Sequence, residues 1–155
     1  MGLLTAWCIF SVFLFDCISA QSTAPSPNAT AACQEISQGS AETQIWPLGL
    51  TNLNYLDAKN HYWSATNADL TPACAVFPTT AAEVSYVVKT LLKYPNVPFA
   101  SKSGGHNTNV GFSSVAWGVL ISFSKLASTT VSLDQKSAIV GTGARWGEVI
   151  TALDP

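Results

Sequence analysis

The sequence predicts an α+β fold, a small parallel or mixed sheet flanked by helices, and three stretches carry that prediction. A short apolar run, Ala73 to Phe77, precedes an amphipathic segment and then a second extended run, Pro98 to Ser101: strand, helix, strand, the start of a βαβ unit. Gly118 to Phe123 (GVLISF) has the unbroken apolarity of a buried strand. Thr130 to Leu133 and Ser137 to Gly141, separated by a turn at Asp134 to Lys136, form a hairpin pattern.

In chain order, Met1 to Ala20 is mostly apolar and ends in small residues suited to signal peptidase, so residues 1–20 are expected to be a cleaved signal peptide. It lacks a basic start and Asp16 interrupts it; the rival, a membrane anchor, is disfavoured because Leu3 to Phe15 is short for a bilayer, and no stable membrane insertion is expected. The expected destination is the secretory pathway or the outside of the cell. Residues 21–70 are expected to be a linker and arm. Gln21 to Ala32 is Pro/Ser/Thr-rich and predicts a flexible linker, with Asn28-Ala29-Thr30 as a candidate glycosylation sequon. Cys33 to Ser40 suits a short helix. Tyr55, His61, Tyr62 and Trp63 are expected to pack the arm onto the domain, and His61 has no partner pattern for catalysis.

With the leader removed, Cys33 and Cys74 remain. In an oxidising compartment one disulfide between them, closing a loop of about 40 residues, is the economical expectation; two free cysteines are the alternative. Without a C-x-x-C pair or clustered histidines, a zinc site is not expected. The domain proper begins at residue 71. Thr80 and Glu83 suggest a capping box, and Val84, Val87, Val88, Leu91 and Leu92 share one face of a helix over Ala81 to Lys93, stopped by Pro95. A last helix is predicted from Arg145 to Leu153.

The stretch Pro98 to Ser114 carries the chemistry. Lys102, Ser103, adjacent Gly104 and Gly105, His106, Asn107 and Thr108 form a loop whose glycines let backbone N–H groups close on a bulky anion such as a pyrophosphate. An ordinary polar surface loop is the competing reading. Gly141-Thr142-Gly143 makes a second glycine turn after a strand. Neither turn matches G-x-G-x-x-G or the P-loop, and a single histidine without an acid–serine or cysteine partner is no recognisable hydrolytic site. A net charge of −2, with only 10% of residues charged, excludes a basic footprint for nucleic acid.

Three blocks together, Ala73 to Thr80 (ACAVFPTT), Lys102 to His106 (KSGGH) and Gly141 to Val149 (GTGARWGEV), resemble the front of secreted FAD-linked oxidoreductases. The family is the berberine-bridge-enzyme-like, vanillyl-alcohol-oxidase (PCMH-type) group, especially its fungal members. Lys102 and Asn107 stand where that family commonly has Arg and Ser. The resemblance implies that residues 71–155 are part of a PCMH-type FAD-binding domain, truncated before a substrate domain. It also implies that His106 carries FAD through the 8α-methyl; a backbone-capping or non-covalent role for His106 is the alternative. Lys102, Ser103, Gly104, Gly105, Asn107 and Thr108 would serve the cofactor, with Gly141 and Gly143 beside it. Cys74, lying before the loop, does not match the family's second attachment cysteine. The implied partners are a small organic substrate and oxygen, in oxidation of an alcohol or amine C–H. No residue here is assignable as base, and a non-catalytic fragment is the alternative.

Overall fold

The computed structural model describes residues 22–154. The expected signal peptide, with Cys8 and Cys17, lies outside the described residues. The first element is a helix, α1 (Pro27–Ile36), which corrects the expectation of a flexible linker through Ala32. Its start is built locally: Ser26 Oγ accepts from the Ala29 N–H at 3.2 Å, and Pro27 sits where its missing N–H costs nothing. Ala29, Ala32, Cys33 and Ile36 follow at helical spacing and are fully buried. Small alanines in a Pro/Ser/Thr-rich segment masked that apolar face. Asn28 is exposed on the first turn.

The main sheet has four strands in the order β1 (Glu42–Ile45), β2 (Cys74–Phe77), β4 (Val119–Ser122), β3 (Phe99–Lys102). β1 runs antiparallel to β2, while β4 is parallel to both β2 and β3. Every residue of β2 and β4 is buried, as their unbroken apolarity requires of central strands. The βαβ expectation holds, with β4 inserted between its two strands. The crossover helix, α4 (Ala81–Leu91), ends two residues before the predicted Lys93. Thr80 Oγ1 accepts from the Glu83 N–H at 3.2 Å, and the Glu83 carboxylate reaches past Thr80 to the Thr79 N–H at 2.6 Å. The Thr79 N–H, with the Ser40 side chain, holds the Glu83 carboxyl below its ordinary value.

One face of the sheet packs on α1 and α4, through Cys74, Val76, Val119 and Ile121 against Ile36, Val87 and Leu91. The other face, with Ala75, Phe77, Ala100 and Leu120, packs on Tyr55 and Ala58 of α2 (Leu53–Asn60). Tyr55 is fully buried and its hydroxyl donates to the Pro72 carbonyl at 2.7 Å. A short helix, α3 (Ala65–Ala68), follows. The expected disulfide forms between α1 and β2: Cys33 and Cys74 have Cα atoms 5.9 Å apart and close a separation of 41 residues.

The predicted hairpin is present as β5 (Thr129–Val131) and β6 (Ala138–Val140), and the last helix as α5 (Trp146–Leu153). Among the described residues no helix is long and apolar enough to cross a membrane, and no group of three or more His, Cys, Asp or Glu is placed to hold a metal.

Candidate functional site: the glycine–histidine loop

The loop leaves the end of β3 at Lys102, and the segment from α2 to α3 runs alongside it contact by contact. Lys102 is buried, its side chain packed beneath Gly105, where a Cβ would lie 3.0 Å from the Lys102 Cε. It donates to the Ala58 carbonyl at 2.7 Å and lies 3.8 Å from the centre of the Tyr62 ring. A cation suits that place, against late carbonyls of α2 and an aromatic face. Burial nonetheless pulls the Lys102 pKa down to about 8. Tyr62 is fixed in turn by its hydroxyl, which donates to the Ser113 carbonyl at 2.7 Å, and burial pushes that hydroxyl up to about 12.

Gly105 has φ +75°, the left-handed region, and a Cβ there would lie 2.7 Å from the His61 carbonyl oxygen. The close approach is sealed by the Trp63 N–H, which donates to the Gly105 carbonyl at 3.0 Å. That bond sets the Trp63 indole beside the His106 imidazole, with ring centroids 5.6 Å apart and planes 22° from parallel. One step further, the Asn67 amide donates to the Asn107 carbonyl at 3.0 Å, and Ser114 Oγ donates to Asn67 Oδ1. The Asn107 carboxamide accepts from the Asn109 N–H at 2.9 Å. Among the described residues the consecutive N–H groups of Gly104, Gly105, His106, Asn107 and Thr108 find no acceptor. Unspent donors in a row are what an anion-holding loop needs.

The second glycine turn meets the first through Ser103, whose hydroxyl donates to the Thr142 carbonyl at 2.6 Å. Gly141 and Gly143 are glycines for close packing: their N–H groups donate to Ser128 and Leu126 carbonyls, and a Cβ at either would strike the Leu126 or Phe123 carbonyl. The chain then turns Ala144, Arg145 and Trp146 toward the loop. With Ser103, Gly104 and His106 they line an open cleft of about 520 Å³. The start of α5 also faces this cleft, its cap braced by the Glu148 carboxylate, which accepts from the Arg145 N–H at 3.0 Å.

Of the residues singled out in the sequence, Ser103, Gly104 and His106 line the cleft, and Gly105, Asn107 and Thr108 continue the row of free donors. Lys102, Gly141 and Gly143 stand behind it and shape it, and the Ser103 hydroxyl is committed to Thr142. Trp63, expected to pack the arm onto the domain, is instead 73% exposed and stacked on His106, a site role that no motif signalled. Arg145 and Trp146 were seen only as the start of a helix. Their place after a glycine turn that follows a strand was the available signal.

The family model described as "FAD binding domain" matches residues 72–155, and the chain belongs to that family. FAD is the cofactor this domain takes. Among sequence relatives, the FAD-dependent monooxygenase drtC of Aspergillus calidoustus is 35% identical over 127 residues, 79% of this chain and 24% of that protein. Among solved structures, a chitooligosaccharide oxidase superposes with a TM-score of 0.63 at 26% identity, over 81% of this chain and 25% of its own. A glucooligosaccharide oxidase from Acremonium strictum, a protein with 6-S-cysteinyl, 8α-N1-histidyl FAD, shares the fold: TM-score 0.62, 18% identity, 81% of this chain and 24% of its own. The chain thus spans about a quarter of the length of these relatives.

Proposed function

We propose that the protein is an FAD-linked oxidoreductase that takes hydride from an alcohol or amine-type C–H of a small organic molecule and passes the electrons to oxygen, and that FAD is attached covalently through His106. The observation that carries this reading is the juxtaposition of unspent donors and an imidazole. The Gly104 to Thr108 N–H groups, with Arg145 across the cleft, suit a pyrophosphate, while His106 stands at the cleft edge. The glucooligosaccharide oxidase, with its histidyl FAD, supports the tether by likeness. A role in secondary-metabolite biosynthesis is part of the proposal, on the resemblance of the three sequence blocks to fungal FAD-linked oxidoreductases.

The isoalloxazine would supply the two-electron chemistry when bound; the residues of the loop and of the start of α5 would position it. His106 would hold the flavin through its 8α carbon: a C–N bond would replace one C–H and the imidazole N–H, and the two protons and two electrons released would leave with oxygen as hydrogen peroxide. The Cys33–Cys74 bond and the exposed Asn28 sequon support a secreted, glycosylated protein.

The test is acid denaturation of the isolated full-length protein. Yellow flavin is expected to stay with the polypeptide, and His106→Ala to lose the bound colour. Flavin released wholly into the supernatant would overturn the covalent claim.

A further inference from the structure

We propose that Trp63 is a positioning residue for His106: its indole holds the imidazole at the cleft edge by stacking, and so governs how fast the covalent flavin bond forms. The inference rests on the reading of His106 as the attachment residue.

The contrast between the two histidines carries it. His61 is held by a carboxylate, its Nδ1 3.0 Å from Asp57 Oδ1. His106, among the described residues, has no hydrogen-bond partner at either ring nitrogen. Its contact with a neighbouring side chain is the Trp63 indole, 5.6 Å between centroids and 22° from parallel. Trp63 belongs to neither buried cluster, and 73% exposure is a poor use of so large an apolar side chain unless its face has a task.

The backbone fixes both rings at once. The Trp63 N–H donates to the carbonyl of Gly105, the residue before His106, and Gly105 can approach His61 because it lacks a Cβ. A nucleophile must sit in a near-attack geometry, and a free imidazole on an exposed loop samples other rotamers. Stacking removes those rotamers while leaving both ring nitrogens unbonded. A hydrogen-bonded orienter would instead occupy one of them. The aromatic pair is expected to speed attachment by about two- to tenfold over a truncated side chain.

The experiment compares the full-length protein with Trp63→Ala and Trp63→Phe. Covalent incorporation of added FAD is followed by intact mass after acid denaturation, and the melting temperature is recorded. The indole is solvent-exposed, so the Ala variant is expected to melt with the wild type while attaching flavin about two- to tenfold more slowly. The Phe variant is expected to recover most of the rate. Attachment at the wild-type rate in Trp63→Ala, or Trp63→Phe as slow as Trp63→Ala, overturns the proposal.

A second readout needs no bound flavin. The His106 ring protons in flavin-free protein should be shifted upfield by the indole ring current and should lose that shift in Trp63→Ala. An unshifted signal in the wild type overturns the stacking. If acid frees all flavin from the wild type, the attachment reading fails by itself, and the proton spectrum alone decides the contact.

Discussion

Lys102 is 4% exposed, and burial places its pKa near 8 against an ordinary 10.5, so the folded protein releases this proton at lower pH than the unfolded chain. Below pH 8 both states hold the proton and the group adds no pH dependence. Between pH 8 and 10.5 the unfolded chain holds more protons, so stability rises with pH through that window. For a single group with these two values, linkage gives a gain of about 2 kcal/mol between pH 8 and pH 10. Tyr62, raised to about 12, and Tyr55, raised further, both by burial, work in the opposite sense as pH nears the ordinary tyrosine value of 10, where each takes back about 0.4 kcal/mol. The Lys102 effect is therefore read as the difference from a variant that keeps both tyrosines. The perturbation is Lys102→Met, which keeps much of the length and removes the charge. The assay is urea unfolding at pH 8, 9 and 10 at constant ionic strength. The wild type should gain about 2 kcal/mol relative to the variant across the series. A wild-type series parallel to the variant's would refute a buried, depressed Lys102 and with it the placing of its ammonium under α2.

Replacing Cys33 and Cys74 together by serine frees a 41-residue separation, and loop-closure entropy makes the cost about 4 kcal/mol. Urea midpoints report it, and an unchanged midpoint would remove the disulfide as an anchor of α1. Gly105→Ala and Gly111→Ala form a matched pair. Both positions have positive φ, +75° and +87°, so each should lose about 1–2 kcal/mol from backbone strain. Only at Gly105 does the new Cβ meet a carbonyl, at 2.7 Å, whereas nothing lies within 4 Å at Gly111. Gly105→Ala should therefore be the less stable of the two in thermal melts and should hold flavin more weakly; equal losses would deny the close approach to His61.

Legibility in the sequence followed the range of the forces at work. β2, β4, α4 and the β5–β6 hairpin were readable because their signals are local: unbroken apolarity, a cap with 3.6-residue spacing, a turn between two extended runs. β1 was not, because Glu42-Thr43-Gln44-Ile45 has neither alternation nor bulk. It becomes a strand only by pairing with β2, from Glu42 opposite Phe77 to Ile45 opposite Cys74. The insertion of β4 between β2 and β3 is a parallel, non-local pairing that leaves no trace in any window of residues. α1 was hidden by composition, although Ser26, Pro27 and the alanine spacing spelled it. Within the site, Gly104, Gly105 and His106 announced themselves by backbone requirement and chemistry. Trp63 did not, because an aromatic residue in an arm is ordinarily core, and only the fold shows that this one is not.

The aromatic residues of the arm were expected to pack it onto the domain, and Tyr55 of α2 does so against the sheet. The same segment also meets the loop at four successive places: Ala58 takes the Lys102 ammonium, His61 abuts Gly105, Trp63 stacks on His106, and Asn67 binds Asn107. Each contact runs to the side of the loop away from its unspent N–H groups or leaves those groups free. A glycine-rich loop left to itself samples many conformations, and ordering it at the moment of binding would weaken its hold on any ligand. A template that fixes the loop beforehand places that entropy loss in folding. The buried face of α2 therefore serves the cofactor site as much as the core. Asn67→Ala, which removes the buried amide that donates to the Asn107 carbonyl and accepts from Ser114, should weaken retention of added flavin as well as cost about 1–3 kcal/mol in urea unfolding, and retention equal to the wild type would refute the template.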